Sequence, residues 1–305
     1  MEIVPVGPDG PNLEPIFRDF RRHEKAADMV LESLVGALAT RQAQALVALV
    51  QGRPAGLIVL SASGESGRIH FLHAIGGAPE VLEALLMQAE ETLRSAGSAR
   101  LSATLFLPAE GVLESAMLHH GYQGFPRARM LLDLEAPAFQ EHPPAGYSLI
   151  PWQESRQEEA VALIERAYRD TDDALLYPEL SGPDGLRRLV ERAVAGEFGP
   201  FVAALAPMAL EGDTLVGLCL STWHEAFPDQ GFILDLAVDP PHRRRGLGRA
   251  LVIATAGAFR RAGASALGLA VTLSNRPAVQ LYESLGFQVE ERFGVFRKML
   301  PPERK

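Results

Sequence analysis

The chain has 305 residues, 47% hydrophobic and 22% charged, with 29 Lys and Arg against 38 Asp and Glu and a formal net charge of -9. This length suits two domains of ordinary size, and the composition is globular, not disordered or collagenous. The negative balance argues against a nucleic-acid partner, because no excess of positive charge is present to release counterions; a basic cluster must then serve a local target.

Met1-Glu2-Ile3-Val4-Pro5 carries no basic and then apolar signal region, and no uninterrupted apolar stretch reaches membrane-spanning length, so the expectation is a cytoplasmic protein with no membrane partner. Ile3-Val4-Pro5-Val6 precedes a stretch of helical periodicity. Gln51-Gly52 followed by Gly56-Leu57-Ile58-Val59-Leu60-Ser61 reads as a hairpin. A strand from Gly67 to Ile75 leads through Gly76-Gly77 into a helix with Glu80 and Glu83 near its start; Ala96-Gly97 closes that helix, and Gly121-Tyr122-Gln123 follows. Residues 136–146, rich in proline and small residues, read as a linker.

Beyond the linker the same features return in the same order. Leu149-Ile150-Pro151-Trp152 repeats the first strand at an offset of 146, and Glu211-Gly212 with Gly217-Leu218-Cys219-Leu220-Ser221 repeats the hairpin at 161. Ala262-Gly263 repeats the helix end at 166, and Gly286-Phe287-Gln288 matches at 165. The chain therefore reads as two copies of one plan: a first domain over 1–138, a linker over 139–146 and a second domain over 147–305. The changing offsets place extra residues of the second copy around 169–185 and around 240–248. The lone cysteine, Cys219, falls in an apolar strand and is expected to be buried and inert. No metal site is expected.

In the second copy Phe232 to Val238 reads as a largely buried strand, ended by Asp239-Pro240-Pro241. His242-Arg243-Arg244-Arg245-Gly246-Leu247-Gly248 follows, with helical periodicity from Arg249. A strand, a basic glycine loop and a helix direct backbone N–H groups and the positive end of a helix dipole at one spot, which suits an anion. A tight turn with solvated arginines fits the same residues. A P-loop does not, since Arg249 and Ala250 follow Gly248, and a dinucleotide fingerprint lacks its third glycine at Leu251.

Arg243, Gly246 and Gly248, preceded by Val238-Asp239-Pro240, resemble the R/Q-x-x-G-x-G/A loop of the GNAT superfamily of N-acetyltransferases. Asn275, Ala278, Leu281, Tyr282, Gly286 and Phe287 are similar to its second signature, N-x-x-A-x-x-L-Y-x-x-x-G-F. The resemblance covers about Tyr147 to Leu300, strongly from Phe232 onward. It implies an α/β (α+β) fold of two tandem GNAT-like domains, each a mixed, mainly antiparallel sheet flanked by helices. It also implies acetyl-CoA as acetyl donor, its pyrophosphate held by the loop of Arg243, Arg244, Arg245, Gly246, Leu247, Gly248 and Arg249. The pantetheine arm is then expected in a gap beside Leu236, Ala237 and Val238, near Asn275 and Ala278, with Tyr282 protonating the sulfur. The alternative readings are a helix cap at Asn275 and a core aromatic at Tyr282.

For the proton of the attacking amine, Ala270 stands where members that acetylate protein N-termini carry a glutamate, so that route is not expected. Asp235 is the preferred base, because a carboxylate in so apolar a strand needs a reason; a hydrogen-bonded structural aspartate is the alternative, and His224 and Glu225 are the other titratable groups nearby. Asp170, Asp172, Asp173, Glu179 and Asp184 crowd one insertion beside Tyr168 and Tyr177, an acidic mouth for a cationic amine or a solvated face. The tandem plan is also similar to that of the mycothiol synthases, whose acceptor is an amino-sugar thiol; no residue here specifies that acceptor. Two functions remain: an N-acetyltransferase acting on a small-molecule or peptide amine, and a non-catalytic acyl-CoA-binding or sensing module. The first copy lacks the cations of the second, and Leu118 stands near the place of Tyr282, so it is expected to bind no acetyl-CoA.

Overall fold

Turn chemistry sets the frame. In the computed structural model Gln51 and Gly52, both at positive φ, join β2 (Gln44–Val50) to β3 (Arg53–Ser63), and Gly212 at φ 61° opens the matching turn from β8 (Pro207–Glu211) to β9 (Thr214–Trp223). The structure describes all residues except 8–9, 24–26, 108–110, 136–141, 170, 172–175, 177–182 and 302–305. Much of the linker, and of the acidic insertion Asp170, Asp172, Asp173, Tyr177 and Glu179, lies outside the described residues.

The chain divides into two units, Met1–Pro126 with Arg292–Lys305, and Arg127–Glu291. In the first, the strand order is β1 (Glu2–Pro5), β2, β3, β4 (Ser66–Ala74), β5 (Arg100–Phe106) and the end of β12 (Gln288–Met299). In the second it is β7 (Tyr147–Pro151), β8, β9, β10 (Gln230–Val238), β11 (Ala266–Thr272) and the end of β6 (Gln123–Asp133). Neighbours are antiparallel except β4 with β5 and β10 with β11. The repeated plan read from the sequence is thus a repeated topology.

Each copy's last strand completes the sheet built by the other. β12 lies on β5 from Phe293 to Met299, and β6 lies on β11 from Arg127 to Asp133. The units therefore part at 126/127 and 291/292, whereas the linker suggests a division after 138. The physical reason is that β5 and β11 each need a neighbour to satisfy one edge, and two strands of similar pattern compete for both places.

Helices cover both faces of each sheet. In the first unit α1 (Glu14–His23) and α2 (Ala27–Ala39) pack on one side and α3 (Pro79–Ser95) and α4 (Val112–His119) on the other. In the second, α5 (Gln157–Tyr168) and α6 (Pro183–Val194) oppose α7 (Leu247–Arg261) and α8 (Arg276–Ser284). Helix α7 begins at Leu247, two residues before the periodicity suggests, because Gly246 turns the chain in the left-handed region. It lies close to β10: a Cβ on Gly231 would stand 2.6 Å from the ring of the fully buried Phe259. Among the described residues no helix is long and apolar enough to cross a membrane.

Candidate functional site

β10 and β11 run together only briefly. Their parallel ladder joins Gln230–Ile233 to residues 266–269 and stops there. Past that point β10 stays with β9 and β11 stays with β6, so residues 234–238 face residues 270–272 across a gap. The parting coincides with a bulge in β10: Ile233 pairs with Ser221 and Asp235 with Leu220, leaving Leu234 as the extra residue. Leu236, Ala237 and Val238 line the β10 side of the gap.

The basic loop follows. Arg244 has φ 62° and Gly246 φ 86°, and such left-handed residues beside ordinary ones curl successive N–H groups toward one point. Gly246 caps α7 with no side-chain bond, so the first-turn amides have no intrahelical acceptor. Not all of the cations point outward. The Arg243 guanidinium donates to the carbonyls of Ala167, at 2.7 Å, and Val238, at 3.1 Å. Arg245 donates to the Tyr147 hydroxyl at 2.9 Å, which lies 3.1 Å from His242 Nδ1. Arg244 is exposed, and Arg249 reaches Ser284 at 3.3 Å. Arg166 grips Asp239 through two contacts, 2.9 and 3.3 Å, and so pins α5 to the end of β10. The sequence carries no signal for these tethers.

Asn275 caps α8, its Oδ1 accepting from Ala278 N–H at 3.3 Å, with Pro277 in the first turn. Tyr282 is 6% exposed, its ring edge-on to Phe287 at 5.5 Å. Asp235 is 4% exposed, and its Oδ1 accepts from the Tyr168 hydroxyl at 3.1 Å. Glu225 is exposed. His224 packs against Phe227 and Phe232, and its Nδ1 accepts from Ala226 N–H at 3.0 Å. A neutral His224 then carries its proton on Nε2, which leaves that nitrogen unable to act as a base. Cys219 is fully buried, and burial pushes its thiol up to about 12. Among the described residues no group of three or more His, Cys, Asp or Glu could hold a metal ion.

β6 brings Arg127 and Arg129 beside β11. Arg127 donates to Ala270 O at 3.0 Å, on the stretch of β11 that has left β10. Arg129 bonds Gln230, meets Glu290 at 3.3 Å and lies over the Phe227 ring. Neither arginine stands out in the sequence, because only the strand exchange places them in this unit.

Burial holds the imidazoles of His70, His73 and His224 below the usual value. The folded chain then refuses protons that the unfolded chain accepts below a pH of about 6.5. Stability is expected to fall as pH drops through that value. Denaturant midpoints at pH 7.5 and 5.5 check this, and equal midpoints would contradict it.

Residues 129–287 match the acetyltransferase (GNAT) family. A mycothiol acetyltransferase of Thermomonospora curvata is 31% identical over 259 residues, 80% of this chain and 82% of the relative. A GCN5-related N-acetyltransferase from Sphaerobacter thermophilus has a similar fold, with a TM-score of 0.69 at 20% identity over 99% of this chain and 97% of that one. A tandem GNAT protein from the clavulanic acid biosynthesis pathway gives 0.56 at 17% identity, over 99% of both chains.

Proposed function

The chain belongs to the acetyltransferase (GNAT) family, an enzyme family with acetyl-CoA as acetyl donor, and from that premise we propose that its second unit moves the acetyl group to an amine of a small molecule or peptide. The parting of β10 from β11 next to the left-handed glycine loop carries this reading, since one gap and one loop match an extended thiol arm and a pyrophosphate. Arg244, Arg245, Leu247, Gly248 and Arg249 would hold the phosphates, chiefly through backbone N–H groups. Arg243 and Arg245 also shape the loop through their internal tethers. The β10 edge that has parted from β11, at Leu236, Ala237 and Val238, would hold the arm, with Asn275 and Ala278 at its side. Acetyl-CoA supplies an activated acyl group and a thiolate leaving group.

The chain's own residues manage the protons. Asp235 would accept one from the attacking amine, and its carboxylate is fixed in direction by the Tyr168 hydroxyl. Tyr282 would donate one to the departing sulfur. The match to a mycothiol acetyltransferase over most of both chains supports a small-molecule acceptor over a peptide. Thiol release from acetyl-CoA with polyamines, amino acids, aminoglycosides and peptides tests the reading; binding without release for every acceptor would favour a sensing module.

Asp235→Asn keeps an oxygen for Tyr168 and removes the base. It is expected to lower kcat by roughly 100-fold and to flatten the acidic limb of the pH profile. A mutant profile parallel to the parent's would return Asp235 to a structural role.

A further inference from the structure

The first unit keeps the geometry of the second at the matching place. In β4, Ile69 pairs with Leu60 and Phe71 with Val59, so His70 is the extra residue of a bulge, as Leu234 is in β10. The parallel ladder of β4 and β5 ends at Ile69 and Ala103, at that same step. Each strand then continues to a loop with a left-handed glycine and a long helix. Gly76 and Gly77 have φ 62° and 66° ahead of α3, and a cavity of about 150 Å³ lies beside them, lined by Asp19, His73, Leu82 and Leu113 among others.

What occupies the loop differs. Asp19, on α1, places Oδ2 3.1 Å from Gly76 N and 3.0 Å from His73 Nε2, and both nitrogens donate to it. By the shared bulge, His73 stands where Ala237 stands in the second unit. Burial would push the Asp19 carboxyl up, but the Gly76 amide and His73 outweigh it and hold it below the usual range, so it is an anion. The residues from Ile75 to Ala78 include no cation, where the second unit has Arg243, Arg244 and Arg245, and Glu80 sits in the first turn of α3.

We propose that the Asp19 carboxylate fills, from within the chain, the anion position of the first unit and so closes that unit to acetyl-CoA. The inference rests on the reading that the second unit binds acetyl-CoA through its own loop. It gives Asp19 two effects: it satisfies the Gly76 amide, which would otherwise await an anion, and it ties α1 to the turn that precedes α3.

Equilibrium dialysis of the full chain, with labelled acetyl-CoA at about ten times the parent's Kd, is expected to give about one equivalent bound, and about a tenth of that in Gly246→Val. Two equivalents in the parent, or a full equivalent in a Gly246→Val chain that is folded by Tm and whose measured second-unit affinity shows the expected loss of roughly 100-fold, would overturn the proposal. No binding by the parent would sink the reading of the second unit, and this inference with it. Asp19→Ala provides a separate readout. Losing the carboxylate is expected to lower Tm by roughly 5 °C, and tens of millimolar formate should restore about 2 °C in the variant while leaving the parent unmoved. A variant indifferent to formate would show that Asp19 only packs; if Asp19→Ala does not fold, the dialysis of the parent and Gly246→Val decides.

Discussion

A chain carrying Gly246→Val is expected to bind acetyl-CoA roughly 100-fold more weakly than the parent, the loss of one to two charge-assisted hydrogen bonds. Gly246 sits at φ 86°, where an L residue costs about 1–2 kcal/mol, and its position at the head of α7 sets the direction of the amides that follow. Relaxing that φ would turn those N–H groups away from their common focus. Gly248 offers a contrast. A Cβ there would meet Leu281 at 3.5 Å and Leu236 and Val238 at 3.9 Å, all ordinary contacts, so Gly248→Ala should fold well and act mainly by standing in the way of the ligand. Calorimetry of both variants, with Tm as the check on folding, reads the two effects apart. Parent affinity in both would remove the loop from the cofactor site.

The duplication is legible because turns and helix ends are local. Gln51-Gly52, Ala96-Gly97 and Ala262-Gly263 each announce a backbone conformation that neighbouring residues alone specify, and Gly97 and Gly263 do adopt positive φ. The gap at the site is legible only through family resemblance, since no periodicity says where β10 leaves β11. The strand exchange is not legible at all. β6 and β12 both mix apolar and charged residues without a clean alternation, and the backbone of either would satisfy the edge of β5 or β11; only tertiary packing chooses. That choice also hides Arg127 and Arg129, which the sequence places in one copy and the structure in the unit of the other. The Asp19 contact is hidden for a related reason: 57 residues separate it from Gly76. The arginine loop shows the limit of counting charges, since Arg243 and Arg245 spend their side chains on internal carbonyl and hydroxyl partners.

Tyr282→Phe is expected to lower kcat by roughly 100-fold while leaving acetyl-CoA affinity within about twofold of the parent. The ring belongs to the core between α7, α8 and the sheet, 6% exposed and edge-on to Phe287, and phenylalanine fills the same volume in the same geometry. Only the hydroxyl is lost, so packing is preserved and stability should change by no more than about 1 kcal/mol. A proton donor and a packing aromatic then make opposite forecasts. If the hydroxyl protonates the departing sulfur, the alkaline limb of kcat disappears in the variant and the rate loss shrinks with an acyl thioester whose thiol is more acidic, because a better leaving group needs less help. If the ring only packs, kcat and its pH dependence stay at parent values and Tyr282→Ala alone is harmful, through a fall in Tm. Steady-state kinetics of the two variants on two thioesters, with Tm recorded beside them, separates the roles. Parent turnover in Tyr282→Phe with a good acceptor would assign the sulfur's proton to another group.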